Sequence, residues 1–311
     1  MVAAMALPMT FASCSSSDDD DDMGNIETPK YEAEAAKYEI STSGAAYKSI
    51  ELTASGNYII VPNSSSSSAR ASVATESTKK AATFLLNPDI KKRTRSGEWG
   101  SGILYGTYTK TGEGEYTLNG LGKLKITSNG GSTSSLDLTL NDGTKKSFSG
   151  AKQTVQSTSD LTNFICRTWN IAHLRVYGKK NGKTVMDIEA DNFAELNRKY
   201  IEFQKKYYPG EEPDSFEENP PKQVVITKSN TYMVLYEDNE LAVANWKWVN
   251  EKEGKFMYSW DEEGEYDDDY GYAYLKASGS NLIASEEDTE YDEEEGVTYT
   301  YGFVYTLSEA K

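Results

Sequence analysis

The sequence predicts a mainly β protein with two domains. Its 311 residues are rich in Tyr, Thr, Ser and Gly and include only 8 Pro, a composition that favours short strands and turns. Apolar and polar residues alternate in many short segments, as in strands that bury one face. One hairpin pattern also occurs twice, and a chain of this length accommodates two ordinary domains.

The repeated hairpin is the strongest internal signal. Residues 53–60, Thr-Ala-Ser-Gly-Asn-Tyr-Ile-Ile, parallel residues 227–234, Thr-Lys-Ser-Asn-Thr-Tyr-Met-Val. In both copies an apolar run leads into a Ser-Gly or Ser-Asn turn that tolerates positive φ, and an alternating strand follows. Residues 115–118 likewise parallel residues 255–258. The two segments of this second match are closer together in the sequence than those of the first match, so the first copy must contain extra residues between its two matched segments. We expect these residues to form a surface loop at about residues 62–97.

The first domain, placed at residues 37–155, is predicted to consist of strands. Besides the repeated hairpin, its strands are read from alternation: 102–110, 123–127, 136–140 and 146–148. A tight turn is predicted at Asn141-Asp142-Gly143, because these residue types favour positive φ between two strands. Before the domain, a weak helix signal follows Thr28-Pro29.

The second domain, residues 160–311, is predicted to contain one amphipathic helix among its strands. Two alternating segments flank a hairpin turn at Asn181-Gly182. The helix is expected over about residues 191–207 with Asp191 as its N-cap, since apolar residues follow at spacings of three and four and a Pro-Gly pair ends the pattern.

The charge of the chain excludes one class of partner. It carries 32 Lys+Arg against 49 Asp+Glu, a net charge of −17, whereas nucleic-acid binding depends on clustered basic residues. The acid is concentrated in five consecutive Asp at residues 18–22 and in residues 261–295, which hold fifteen acidic residues and one Lys. The remainder is nearly neutral, so the charge belongs to two attachments of the folded body.

The N-terminus is typical of a signal peptide, placed at residues 1–13. Residues 2–13 are a short apolar run that ends in two small residues before Cys14. The first basic residue is Lys30, and because signal peptides begin with basic residues we expect the true start to lie upstream.

The residues around Cys14 resemble a known export signal. Phe11-Ala12-Ser13-Cys14 is similar to a bacterial lipobox, in which the Cys is acylated, and the Ser/Asp run that follows resembles the export signal of Bacteroidota surface lipoproteins. The resemblance implies a lipid on Cys14, an outer-membrane location with exposure at the cell surface, and a flexible acidic leash over residues 14–36. The alternative is a solvated acidic tail behind a chance Cys.

The order of motifs in the second domain resembles the lipocalin-like domains of Bacteroidota lipoproteins. There a Thr-Trp near the domain start closes the barrel base, as Thr168-Trp169 would here, and a hairpin, a helix and meandering strands follow. The resemblance covers residues 160–311 and, more weakly, 37–150. It implies one antiparallel β-barrel or half-barrel per domain, with a ligand site inside or at the mouth of the second. The residues implied at that site are Trp169, Trp246, Trp248, Tyr258 and Trp260. Immunoglobulin-like β-sandwiches show similar alternation and remain the alternative.

Few residues suit catalysis. The segment 178–184, Gly-Lys-Lys-Asn-Gly-Lys-Thr, is one residue short of a phosphate-binding loop and lies between strands, so it is interpreted as a hairpin turn. His173 is the only histidine, which excludes multi-histidine zinc sites. Cys166 has apolar and aromatic neighbours in sequence and is predicted to be a buried structural thiol.

The acidic hairpin loops raise the hypothesis of a calcium site. Calcium prefers six to eight hard oxygen ligands, which two neighbouring acidic loops could supply. The candidate ligands are Asp267, Asp268, Asp269, Asp292, Glu293 and Glu294. The alternative is that these loops are solubilising hairpin tips that discourage edge-to-edge pairing. No other cofactor is expected.

Two aromatic stripes follow the spacing of a strand. The first contains Tyr266, Tyr270, Tyr272 and Tyr274, and the second contains Tyr299, Tyr301, Phe303 and Tyr305. Each stripe places its rings on one strand face. We expect at least one stripe to pack in the core, whereas an exposed stripe would suit stacking against sugar rings.

Together these features predict a lipid-anchored cell-surface protein that binds a small apolar ligand or a glycan without catalysis. One alternative is a carbohydrate-active enzyme that uses two carboxylates, since acidic residues are plentiful. Another is a calcium-stabilised structural or adhesion module.

Overall fold

The protein consists of two closed eight-stranded antiparallel β-barrels. The computed structural model describes residues 27–63, 102–155, 158–217, 219–259, 270–293 and 295–310. The mainly β, lipocalin-like prediction is confirmed. The alternative of immunoglobulin-like sandwiches is wrong, because each sheet closes on itself. The signal peptide, Cys14, most of the leash and most of the predicted insert lie outside the described residues.

The first barrel is a simple meander in which each strand pairs with the next. Its strands are β1 (Ala36–Ile40), β2 (Tyr47–Leu52), β3 (Asn57–Pro62), β4 (Leu104–Gly112), β5 (Glu115–Leu118), β6 (Gly122–Ser128), β7 (Thr133–Leu140) and β8 (Lys145–Lys152). Pairing of β1 with β8 closes the ring. Before β1 the weak helix signal forms only a single 3-10 turn, Glu32–Glu34. Alternate residues of the strands fill the interior with apolar side chains.

The second barrel adds two helices and a ninth strand to the same plan. Its elements are α1 (Asp160–Ile165), β9 (Thr168–Lys180), β10 (Lys183–Ala190), α2 (Phe193–Tyr207), β11 (Pro221–Ile226), β12 (Thr231–Tyr236), β13 (Leu241–Asn250), β14 (Lys255–Ser259), β15 (Tyr270–Ser278), β16 (Asn281–Asp292) and β17 (Val297–Glu309). The ring closes between β9 and β17. Strand β10 pairs with the far end of β9, beyond the three residues of β9 that pair with β11.

The repeated sequence forms the same hairpin turn in both barrels, so the prediction of two matching hairpins is confirmed. In β2–β3 the Thr53 hydroxyl accepts a hydrogen bond from the backbone N–H of Asn57 at 3.0 Å. In β11–β12 the Thr227 hydroxyl accepts one from the N–H of Thr231 at 3.2 Å. The residue ahead of each second strand has positive φ, +87° in the first barrel and +67° in the second, which Gly and Asn accept most easily.

The equivalence extends to residues that the sequence comparison did not pair. The Tyr108 hydroxyl donates to the Thr53 carbonyl at 3.0 Å, and the Trp246 indole N–H donates to the Thr227 carbonyl at 2.8 Å. Each ring therefore fixes the turn of its own hairpin. The two barrels are structural repeats, with different aromatic residues in the same role.

The helices of the second barrel differ from the prediction in two details. Helix α2 spans the predicted residues, but its cap is Asn192, whose side chain accepts from the N–H of Glu195 at 2.9 Å. Asp191 was the wrong choice because its carboxylate turns instead to His173 Nδ1 at 2.9 Å. Helix α1 was not predicted, since six residues give too short a periodic pattern. Among the described residues, neither α-helix has the length and apolar character that crossing a membrane requires.

Tyrosine rings lie over glycines at three places in the sheets. Each pair sits directly opposite across two strands, and a side chain on the glycine would overlap the ring. The pairs are Tyr58 with Gly106, Tyr258 with Gly271 and Tyr177 with Gly302. These glycines are needed for close approach of the ring.

The two barrels pack side by side through the outer faces of equivalent strands. The centre of the contact is apolar and consists of Ile59, Val225 and Met233. Ile59 and Met233 occupy equivalent positions of the two hairpins, so the contact is pseudo-symmetric. Hydrogen bonds surround this centre, among them the Thr168 hydroxyl to Asn57 Oδ1 at 3.0 Å.

The segment before β1 joins the two barrels at their junction. The buried Arg167 guanidinium of the second barrel donates to the Glu27 carbonyl at 3.0 Å and pairs with Glu309 at 2.7 Å. The Lys228 ammonium pairs with the Glu32 carboxylate. Residues of the leading segment are thus held by the second barrel although they run into the first.

Candidate functional site

Four of the five predicted ligand-binding aromatic residues lie together inside the second barrel. Trp169 and Trp246 have no exposed surface, Tyr258 is buried and Trp248 is partly buried. Trp246 stacks on Phe256, with ring centres 5.0 Å apart. Trp260 lies outside the described residues.

The indole nitrogens of the three described tryptophans in this set all have hydrogen-bond partners within the protein. Trp169 donates to the Ile165 carbonyl at 2.9 Å, and Trp248 donates to the Thr162 hydroxyl at 2.8 Å. Buried aromatic residues normally bond their polar atom in this way when they serve as core. Their burial gives them a packing role, and the ligand role stays a prediction.

A carboxylate held by phenols lies beside these aromatic residues. Glu286 accepts hydrogen bonds from the Tyr258 hydroxyl at 3.1 Å and the Tyr305 hydroxyl at 3.4 Å. Burial raises the pKa of Tyr258 well above the usual range, so this phenol stays a protonated donor. The sequence pattern hinted at this position, because Glu286 has the same strand parity as the buried Leu282.

The two tyrosine stripes differ in how far their rings are exposed. In the second stripe Tyr301 is 48% exposed, whereas Tyr305 is buried and Phe303 packs against the core, so the expected core packing holds for part of that stripe. In β15 all three described rings are exposed: Tyr270, Tyr272 and Tyr274 by 43%, 41% and 39%. We call these three residues the tyrosine stripe. Tyr266, the other member of that sequence pattern, lies outside the described residues.

The tyrosine stripe is an ordered array on the outer face of the barrel. Successive rings point the same way because their residues are two apart on one strand, about 7 Å along it. Tyr270 and Tyr272 meet edge to face with ring centres 5.6 Å apart. The Lys255 ammonium lies 4.6 Å from the centre of the Tyr272 ring, and this contact orients the ring.

A second candidate is a largely enclosed cavity of about 180 Å³ between the barrels. Glu51 lines it and is only 2% exposed. Burial raises the pKa of this carboxyl above its ordinary value. Sequence reasoning missed the residue, because an acid between two apolar residues of a strand, Ile50 and Leu52, is the ordinary pattern of a solvent-facing outer side.

The remaining predicted residues play local roles. The Cys166 thiol is 3% exposed, lines the same cavity and forms no disulfide, which confirms a buried thiol. Burial raises its pKa, which opposes formation of the reactive thiolate. The segment 178–184 is a hairpin turn, as predicted, with positive φ at Asn181 and Gly182.

The calcium hypothesis is only partly within the described residues. Asp292 accepts a hydrogen bond from the Glu295 N–H at 2.9 Å, as in a local turn, and Glu293 is exposed beside it. Within the described part of the chain, no group of three or more His, Cys, Asp or Glu could hold a metal. Asp267, Asp268, Asp269 and Glu294 lie outside that part, so calcium binding stays a prediction.

No protein-family model, curated protein or solved structure matches this chain.

Proposed function

We propose that the protein is a lipid-anchored cell-surface lipoprotein that binds glycans, without catalysis, through the tyrosine stripe of β15. The observation that carries this proposal is the exposure of three neighbouring tyrosine rings on one strand face. Exposed apolar groups of this kind mark binding surfaces more often than single exposed residues do.

The chemistry of the tyrosine stripe fits a sugar chain. A pyranose presents an apolar face of C–H groups and a rim of hydroxyls. A tyrosine offers an apolar ring for the first and a phenolic hydroxyl for the second. A row of rings at a regular spacing favours a linear ligand that spans several sugar units.

The tight packing inside the second barrel favours its outer face, and not its lumen, as the binding surface. Side chains from the strands and from α1 and α2 fill that interior as one apolar cluster. A small apolar ligand would have to displace packed rings such as Trp246 and Phe256. A glycan on the tyrosine stripe displaces only water.

Binding to a panel of soluble and insoluble polysaccharides tests the proposal. We expect Tyr272→Ala to weaken binding by about fivefold, since loss of one aromatic contact costs about 1 kcal/mol. Replacing all three tyrosines of the stripe should abolish binding. Tyr291→Ala is the matched control, because Tyr291 is also exposed on a strand but lies outside the stripe.

Two results would contradict the proposal. One is unchanged affinity in the triple variant. The other is failure of the wild type to bind any member of a broad panel. Release of shorter sugars from a bound polysaccharide would instead support the alternative of a carboxylate-dependent enzyme.

A further inference from the structure

The inter-barrel cavity has the features of a built site. Its volume of about 180 Å³ is far above the roughly 15 Å³ that one water requires. The equivalent hairpin turns of the two barrels, residues 53–55 and 227–229, face each other across it. Val155 also lines it and is 42% exposed, so the cavity reaches solvent on that side.

Glu51 is the unusual residue of this cavity. By the repeat, its position in β2 is equivalent to Val225 in β11, which packs in the apolar centre of the contact. A carboxyl at a position where an apolar side chain serves for packing needs another explanation. Its Oε2 accepts a hydrogen bond from the Thr231 hydroxyl at 2.6 Å.

The basic residues near Glu51 are paired with other carboxylates. Lys37 lies opposite Glu51 across β1 and β2, and its Nζ is 3.7 Å from Glu39. The Lys228 ammonium at the cavity pairs with Glu32. Among the ion pairs of the described residues, none includes Glu51. Burial raises the pKa of Glu51, and the nearby Lys37 charge lowers it without outweighing burial. The carboxyl is therefore costly to ionise until a further cation arrives.

We propose that the inter-barrel cavity binds a small primary ammonium ion with a short alkyl chain, and that Glu51 is its counter-ion. The three N–H donors of such an ion match the Glu51 carboxylate and the hydroxyls of Thr53 and Thr227, which also line the cavity. The alkyl chain would contact the apolar residues of the lining, which are Ala35, Leu52, Ala54, Val155 and Ile226. A calcium ion is less well suited, because no group of three or more His, Cys, Asp or Glu that could hold a metal exists among the described residues.

The thiol that lines the cavity reports on its occupancy. The chain has 2 Cys, so Cys166 is the only thiol in full-length protein carrying Cys14→Ala. Its reaction with methyl methanethiosulfonate is slow in the free protein, because burial opposes formation of the thiolate, and a bound ligand should slow it further. With n-butylammonium as the probe, the modification rate should fall by the factor 1 + [L]/Kd, about tenfold at ten times Kd. The same concentration of n-butanol, which has a similar shape but no charge, should leave the rate unchanged.

Two variants separate the charge of Glu51 from general effects of amines. Glu51→Gln should abolish protection by n-butylammonium. Glu115→Gln makes the same charge change at an exposed ion pair of the first barrel and should retain protection. A rise in melting temperature with n-butylammonium, absent with n-butanol, is a second readout that needs no variant and no thiol reaction.

The proposal fails if n-butylammonium and n-butanol give the same result in both readouts. It also fails if folded Glu51→Gln is protected as well as the wild type. Because the cavity and the tyrosine stripe lie on different surfaces, neither outcome bears on glycan binding.

Discussion

Glu51→Gln should change how the stability of the protein depends on pH. Burial raises the pKa of Glu51 above its ordinary value of 4.5. Below that value the carboxyl is protonated in both the folded and the unfolded chain. As the pH rises further, the unfolded chain releases the proton while the folded chain keeps it, so the free energy of unfolding falls. The fall continues until the pH passes the folded pKa.

The slope of this effect is set by one proton. The contribution of Glu51 to the free energy of unfolding should fall by up to about 1.4 kcal/mol per pH unit within that window. Gln carries no titratable proton and its amide oxygen still accepts from the Thr231 hydroxyl. The variant should therefore gain stability relative to the wild type as the pH rises above 4.5, and the difference should level off above the folded pKa.

Urea unfolding followed by tryptophan fluorescence measures this difference. Wild type and variant are compared in amine-free buffers between about pH 4.5 and 8, with Glu115→Gln as the control for an exposed carboxylate. If the barrels unfold in separate steps, the pH-dependent difference should be seen in the step that separates the two barrels, because that step exposes Glu51. A stability difference between Glu51→Gln and wild type that does not vary with pH would refute a raised pKa.

Four further predictions test other parts of the structure. Trp246→Ala should cost about 3–5 kcal/mol in a urea titration as a core truncation; a stable variant that has merely lost a ligand would show a luminal binding site instead. Gly271→Ala should lower the melting temperature because its side chain would overlap Tyr258, whereas Gly210→Ala, in open space, should not. Cys14→Ala should move the protein from the membrane fraction to the soluble fraction, and persistence in the membrane would contradict acylation. The calcium hypothesis predicts a melting-temperature rise with calcium that EDTA reverses; no response would count against it.

Local patterns were sufficient to predict most of the fold. The hairpins at Gly56 and Asn230 depend on residues within one turn of each other, so their conformation is encoded where it forms. The same holds for α2, whose apolar spacing is contained in fifteen residues. The cap was placed one residue early because Asp191 and Asn192 are both good capping residues, and a contact with His173 distant in sequence decided between them.

Features that depend on distant strands could not be predicted in this way. Closure of the second barrel joins β9 to β17, and no local signal specifies that pairing. The burial of Glu51 depends on a second barrel covering the outer face of β2. The tyrosine stripe and the stripe of Tyr305 have the same alternation, yet Tyr305 is buried and Tyr301 of the same stripe is 48% exposed. Alternation alone therefore does not predict which rings face the solvent.

The position of the leading segment affects how the protein bears load. Arg167 donates to the Glu27 carbonyl and Lys228 pairs with Glu32, so the segment contacts the second barrel while the chain continues into the first. A pull on the residues before Glu27 would therefore load these two contacts with the second barrel before it reached β1 of the first.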